Sequence, residues 1–521
     1  AASRALTIAA GTGNVTFTGA VGGSTALGAV AITAATTTNS STWVGSSTLG
    51  ITGNAVINGA ISGITTLTVS GTTSLGANVT SSGNQTYSGA VTITGSAVTL
   101  NSSSGNGVVL FSSTVNSAAN AANPLTVTTG SGNVTFTGIV GGATNGALGA
   151  LTINSSGTTT LSAAVTAASV TTDSGGTTAI NGGAITTTGA QTYNDAVTLG
   201  AATTLTSSSS GNINLASTVN GAQALTINTA GTTTFGGIVG GTTALTSITT
   251  DAAGSVAING GAITTTGAQT YNEGVTLGAA TTLSAASITT GSTFNASTYA
   301  ATLTTDAITL GGNLSGSGAL VIQPKTNSTT IGIGSAASGT LSLDDTELGR
   351  LVDGFSSITI GSTTGTGAIA VAYTTPYTFT DPLTIRSNTS GGGAISASSA
   401  LNTGTNSLTI TSGGAVSVAA ITSGTLAITG TGITLNGDVT TSGTQTYTGA
   451  VTLGADVTLA STGNASTGNT VSFSSTINGA KAFTVNAGVG AITFSSTIGA
   501  TTNLTSLSLT TSHATGITLS G

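Results

Sequence analysis

A phrase running from Ala179 to Asn194, Ala-Ile-Asn-Gly-Gly-Ala-Ile-Thr-Thr-Thr-Gly-Ala-Gln-Thr-Tyr-Asn, returns from Ala257 to Asn272, an offset of 78 in the numbering. Both copies continue into Val-Thr-Leu-Gly-Ala-Ala-Thr-Thr-Leu, at Val197 and Val275, and the kernel Gln-Thr-Tyr occurs at Gln85, Gln191, Gln269 and Gln445. Shorter echoes lie inside this repeat. Phe235 follows Leu215 by 20 positions, Phe494 follows Phe473 by 21, and Phe136-Thr-Gly-Ile-Val140 follows Phe111-Ser-Ser-Thr-Val115 by 25. A basic period of about 20 residues emerges, and the long offset is close to four such periods. The looser intervals between the other kernels, from Gln85 to Gln191 and from Gln269 to Gln445, imply insertions at turns. Self-similarity on this scale is the mark of a stacked repeat architecture.

Within each unit the apolar residues alternate, as in Asn133-Val-Thr-Phe-Thr-Gly138, Leu225-Thr-Ile-Asn228 and Ala450-Val-Thr-Leu453, with Gly or Asn-Gly between runs. Period-2 alternation describes strands with one buried face. Runs of three to five residues are short for a sandwich, so the expected fold is all-β: a parallel β-helix, or β-solenoid, of short strands with Gly and Asn corners. A right-handed coil is expected, because β-crossovers are right-handed in nearly all cases. At about 20 residues per coil and about 4.8 Å per coil, the chain would make roughly 26 coils and a rod on the order of 125 Å long. Residues 1–521 read as one continuous repeat region, with 340–356 as a charged interruption.

Stacking also accounts for what is missing. Like side chains lie above like, so Val, Ile, Leu and Ala form apolar ladders and Asn ladders share amide hydrogen bonds, whereas stacked like charges repel. Charged residues make up only 3% of the chain, against about 25% in ordinary soluble domains. A mean hydropathy of +0.40 with so little charge argues against disorder. No run approaches the ~18 consecutive apolar residues of a membrane-spanning helix. Aromatic residues at 3% are too few for the girdles of an outer-membrane barrel, so insertion of this segment into a membrane is not expected. There is no Cys, which removes disulfides, thiolate catalysis and Cys-type metal sites, and fits a chain exported unfolded. The lack of Met and the strand-like opening Ala5-Leu6-Thr7-Ile8 suggest a window of a longer chain.

Five charges crowd into ten residues of the segment Thr340–Phe355: Asp344, Asp345, Glu347, Arg350 and Asp353. Ser342 followed by Asp345 resembles a capping box, with Leu348, Leu351 and Val352 to one side, so a short helical or irregular interruption near 342–353 is expected. Asp344, Asp345, Glu347 and Asp353 form a candidate cation cluster, but they lack the alternating-ligand spacing of a calcium loop. A surface helix breaking the coil stack is the simpler reading.

Catalytic sets are scarce. His513 is the only histidine, and the nearest preceding acid is Asp456. Asp438 and Asp456 are separated by about one coil, which would suit paired carboxylates, yet aromatics and bases to hold a sugar are sparse there. Arg4, Lys325, Arg350, Arg386 and Lys481 are scattered singly. No Gly-x-x-x-x-Gly-Lys-Ser/Thr occurs, and no cofactor is expected. A net charge of −7 argues against nucleic acid or an anionic membrane as partner. The sequence is therefore read as non-catalytic.

The phrases Gly189-Ala-Gln-Thr-Tyr-Asn-Asp-Ala-Val-Thr-Leu199, Leu348-Gly-Arg-Leu-Val-Asp-Gly-Phe-Ser-Ser-Ile-Thr-Ile-Gly361 and Asp381-Pro-Leu-Thr-Ile385 resemble the repeat regions of filamentous-haemagglutinin-like exoproteins and large autotransporter-type adhesins. That resemblance implies export, a β-helical shaft and display on a bacterial surface, and it transfers no catalytic residue. It implies as partners other copies of the chain, in end-to-end or lateral assembly, and a host or neighbouring-cell surface or polysaccharide. A glycan- or ice-binding solenoid face is the alternative expectation.

Overall fold

The computed structural model describes residues 4–462 and 469–520. Its regular structure is nearly all β, 52% strand against 1% helix, and its parallel strands stack as a β-solenoid of about 25 turns with roughly 20 residues per coil. The sequence periods are pairing registers: Phe111 lies beside Phe136, Leu215 beside Phe235 and Phe473 beside Phe494. The chain divides into two compact units. The first comprises Ala1–Thr266 and Tyr271–Glu273, the second Gly267–Thr270 and Gly274–Gly521.

In the first unit one interior column runs Val69, Tyr87, Phe111, Phe136, Leu161, Ile180, Leu199, each residue in register with the next. All are buried. The rings of Tyr87 and Phe111 stack at 5.3 Å, and those of Phe111 and Phe136 at 4.7 Å. Parallel pairing in register brings identical positions of successive coils to strand spacing, so two rings that meet in register lie flat on one another. Burying each such side chain stabilises the fold by about 1.5–3 kcal/mol.

The second unit repeats the design in a longer column: Leu283, Leu303, Ile322, Ile360, Ile385, Ile410, Ile428, Tyr447, Phe473, Phe494. Its rings stack at 4.8 Å between Tyr447 and Phe473 and at 5.1 Å between Phe473 and Phe494. Between Ile322 and Ile360 the coil swells to hold two short strands, Ile331–Ile333 and Leu341–Leu343, and the one-turn helix Asp345–Leu348. The charged interruption is thus a coil enlarged by insertion.

Two details differ from the sequence reading. Strands such as Trp43–Ile57 exceed the expected three to five residues, because pairing continues around some corners through register shifts like that between Thr33 and Thr36. The capping box is formed by Asp344 and Glu347, two residues beyond the expected Ser342 and Asp345. Ser342 is held in its strand opposite Gly332 and cannot cap.

Candidate functional site

The repeated kernel is an interior clamp, and it extends further back than Gln-Thr-Tyr. A hydroxyl residue stands four positions before each Gln: Ser81, Thr187, Thr265 and Thr441. At the second kernel, Gln191 Nε2 donates to Thr187 Oγ1 at 3.3 Å, to Ile185 O at 3.2 Å and to Thr206 O of the next coil at 2.9 Å. Thr187 Oγ1 donates to Gly189 O at 2.6 Å, and Tyr193 Oη donates to Gln191 Oε1 at 2.9 Å. The first and fourth kernels repeat this arrangement. Gln85 reaches Asn101 O at 3.1 Å and receives Tyr87 at 3.0 Å; Gln445 reaches Ala460 O at 3.0 Å and receives Tyr447 at 2.9 Å. Gln269 donates to Ser284 O at 3.0 Å. Each Gln is fully buried, and these bonds satisfy its own amide inside the core. Burial raises the phenols of Tyr87, Tyr193, Tyr271 and Tyr447 far above their ordinary range.

Corner Asn and Asp side chains form a second set of ties. Asn54 Oδ1 accepts Thr72 N–H at 2.9 Å, Asn133 accepts Thr158 N–H at 2.9 Å, and Asn116 accepts Ala143 N–H at 3.0 Å. The sequence suggested amide ladders between Asn residues; these Asn side chains bond to the backbone of the following coil. Asp438 and Asp456 play the same part, accepting from Thr458 N–H and Ala482 N–H, both at 2.8 Å. His513 Nδ1 faces its own turn, accepting Thr515 N–H at 3.1 Å.

The acids of the interruption are divided among separate tasks. Asp344 Oδ1 accepts Glu347 N–H at 2.7 Å, while Glu347 Oε2 accepts Asp344 N–H at 3.1 Å and Oε1 accepts Leu310 N–H at 3.0 Å. Burial raises the Glu347 carboxyl against the opposing pull of the Leu310 and Asp344 amides. Asp345 knots two loops, accepting Ser335 N–H at 2.8 Å, Thr374 N–H at 3.0 Å and Thr375 N–H at 3.1 Å, with the Thr374 hydroxyl as a further donor. The Thr374 hydroxyl, then the Ser335 amide, hold its carboxyl at about 2. Asp353 faces Asp381, whose Oδ1 accepts Gly354 N–H at 3.0 Å. Among the described residues no three His, Cys, Asp or Glu side chains are grouped to hold a metal ion.

No family model, curated protein or solved structure matches this chain. The geometry itself must carry the functional reading.

Among the described residues few large apolar side chains are exposed, Ile139, Ile238 and Tyr299 among them. One hollow of about 440 Å³ is lined by residues such as Thr330, Thr340, Ala368, Ala370, Ala394 and Ser396, and no titratable group borders it. The outward row Thr68, Thr86, Leu110, Thr135, Thr160, Ala179, Thr198 is broken by Leu110 and Ala179.

Proposed function

We propose that this chain is a non-catalytic structural segment, the shaft of a surface-exposed or secreted bacterial fibre or adhesin. The observation that carries the reading is the use made of polar side chains. The kernel glutamines point inward, and the corner Asn and Asp residues noted above bond from coil to coil, so chemistry is spent on holding turns together. A repeat stabilised between neighbouring coils extends by adding coils, each contributing a similar interface. The interrupted threonine row favours this reading over ice binding, which needs hydroxyls in regular register.

Self-association belongs to the same reading. So few charges leave strand edges with little protection against pairing with another chain, and end-to-end or lateral assembly of copies follows.

The test is accessibility on intact cells of the source organism. Antibodies against the folded chain should label intact cells or the culture medium, and external protease should remove the cell-bound signal. Labelling only after lysis would overturn the proposal.

A further inference from the structure

Two corners of the first unit, related by the offset of the long repeat, each carry a pair of acids at matching positions, and only one pair is provided for. In the first corner Asp195 Oδ1 accepts Gly176 N–H at 2.9 Å and Oδ2 accepts Thr178 Oγ1 at 3.1 Å, while Asp173 Oδ1 accepts Ser155 N–H at 2.8 Å. In the second, Asp173 is matched by Asp251, Gly176 by Gly254, Thr178 by Val256 and Asp195 by Glu273. The hydroxyl donor is gone and the acid is one methylene longer. Glu273 is only 2% exposed, yet both its carboxylate oxygens lack a hydrogen-bond partner, as do Asp251 Oδ1 and the buried Thr250 Oγ1. Thr250 and Asp251 are the polar groups that act on Glu273. The Thr172 hydroxyl of the first corner is equally unpartnered, so the corners differ in their carboxylates.

We propose that Glu273 and Asp251, with the Thr250 hydroxyl, bind a hard divalent cation, calcium in the first instance. A buried carboxylate with no donor is costly, and a second acid beside it raises the cost. One cation partners four orphaned oxygens and cancels both charges. Calcium accepts all-oxygen shells of irregular shape completed by water. Asp251 is half-buried and the following Ala252–Gly254 turn is exposed, which gives water and the ion a way in. Burial, with Asp251 adding to it, pushes the Glu273 carboxyl up to about 7 against a weaker pull from Thr250. Binding therefore competes with a proton.

The experiment is calorimetric titration of the chelator-treated full chain with calcium chloride at pH 8, paired with thermal unfolding. We expect saturable binding and a higher Tm with calcium than with chelator. Glu273→Gln should weaken affinity at least ten-fold, and Asp195→Asn in the first corner should leave it unchanged. A double variant, Val256→Thr with Glu273→Asp, rebuilds the self-sufficient first corner and should fold while losing the calcium response. No saturable uptake by the wild type, or unchanged affinity in the double variant, would overturn the proposal. Tighter binding of magnesium than of calcium would contradict the assignment of the ion.

Discussion

The Tyr193 hydroxyl donates to the Gln191 side-chain carbonyl at 2.9 Å, two residues apart on one strand, with both side chains withdrawn from solvent. Neither could be buried cheaply alone. Tyr193→Phe leaves the Gln191 carbonyl without its donor and should cost about 1–3 kcal/mol. Gln191→Leu removes the acceptor of the phenol together with the side-chain donor to the carbonyls of Ile185 and Thr206, so it should cost more than Tyr193→Phe. Denaturant unfolding of the two variants and their double mutant checks this, and a strong non-additive term is expected because the residues share one network.

Phe111 sits between Tyr87 and Phe136 in a stack of nearly parallel rings. Phe111→Ala should cost about 3–5 kcal/mol, since the coils above and below are pinned by backbone pairing and cannot close the gap. Phe111→Leu should recover much of that loss. Equilibrium unfolding of both variants gives the comparison.

The coil period was legible because an interior ladder demands an apolar residue at the same place in each turn. Phe111 and Phe136, or Phe473 and Phe494, could therefore be matched by spacing alone. The inward course of Gln85, Gln191, Gln269 and Gln445 was not legible, because their partners include carbonyls of another coil that only the register identifies. A signal was nonetheless present in the hydroxyl four residues before each Gln. The capping box was misplaced by two residues for a related reason: Ser342 has a capping side chain, but strand pairing with Gly332 had already claimed its backbone. Nothing in the string distinguished Asp195 from Glu273 as satisfied and unsatisfied, since the difference rests on Thr178 against Val256 across a corner.

Asp345 links the Ser335 loop to the Thr374–Thr375 loop, with its carboxyl held at about 2, below the ordinary 3.8. A depressed folded value means the charged form is favoured in the native state. Its contribution is complete above the unfolded value and is lost as pH falls from about 4 towards 2. Asp345→Ala should abolish that dependence and speed amide exchange at Ser335, Thr374 and Thr375. Hydrogen exchange between pH 2 and 6 measures both.

Glu273 has the opposite sign. Its folded value, about 7, lies above the ordinary 4.5. Below that ordinary value both states are protonated and nothing is lost; above it the unfolded chain releases a proton that the folded chain keeps until about pH 7. In chelator, stability should therefore fall as pH rises between about 4.5 and 7, with Asp251 as the facing acid. Glu273→Gln should flatten this slope in pH-dependent unfolding curves.

Four Gln-x-Tyr kernels sealed inside the coils cannot release their phenolic protons while the coils stay closed. The most direct test is spectrophotometric titration of the wild type against a variant in which Tyr87, Tyr193, Tyr271 and Tyr447 are all replaced by Phe. The difference isolates four phenols, and they should stay protonated beyond pH 11, ionising only as the fold is lost. Reversible ionisation of those four near pH 10 with the circular dichroism unchanged would contradict it.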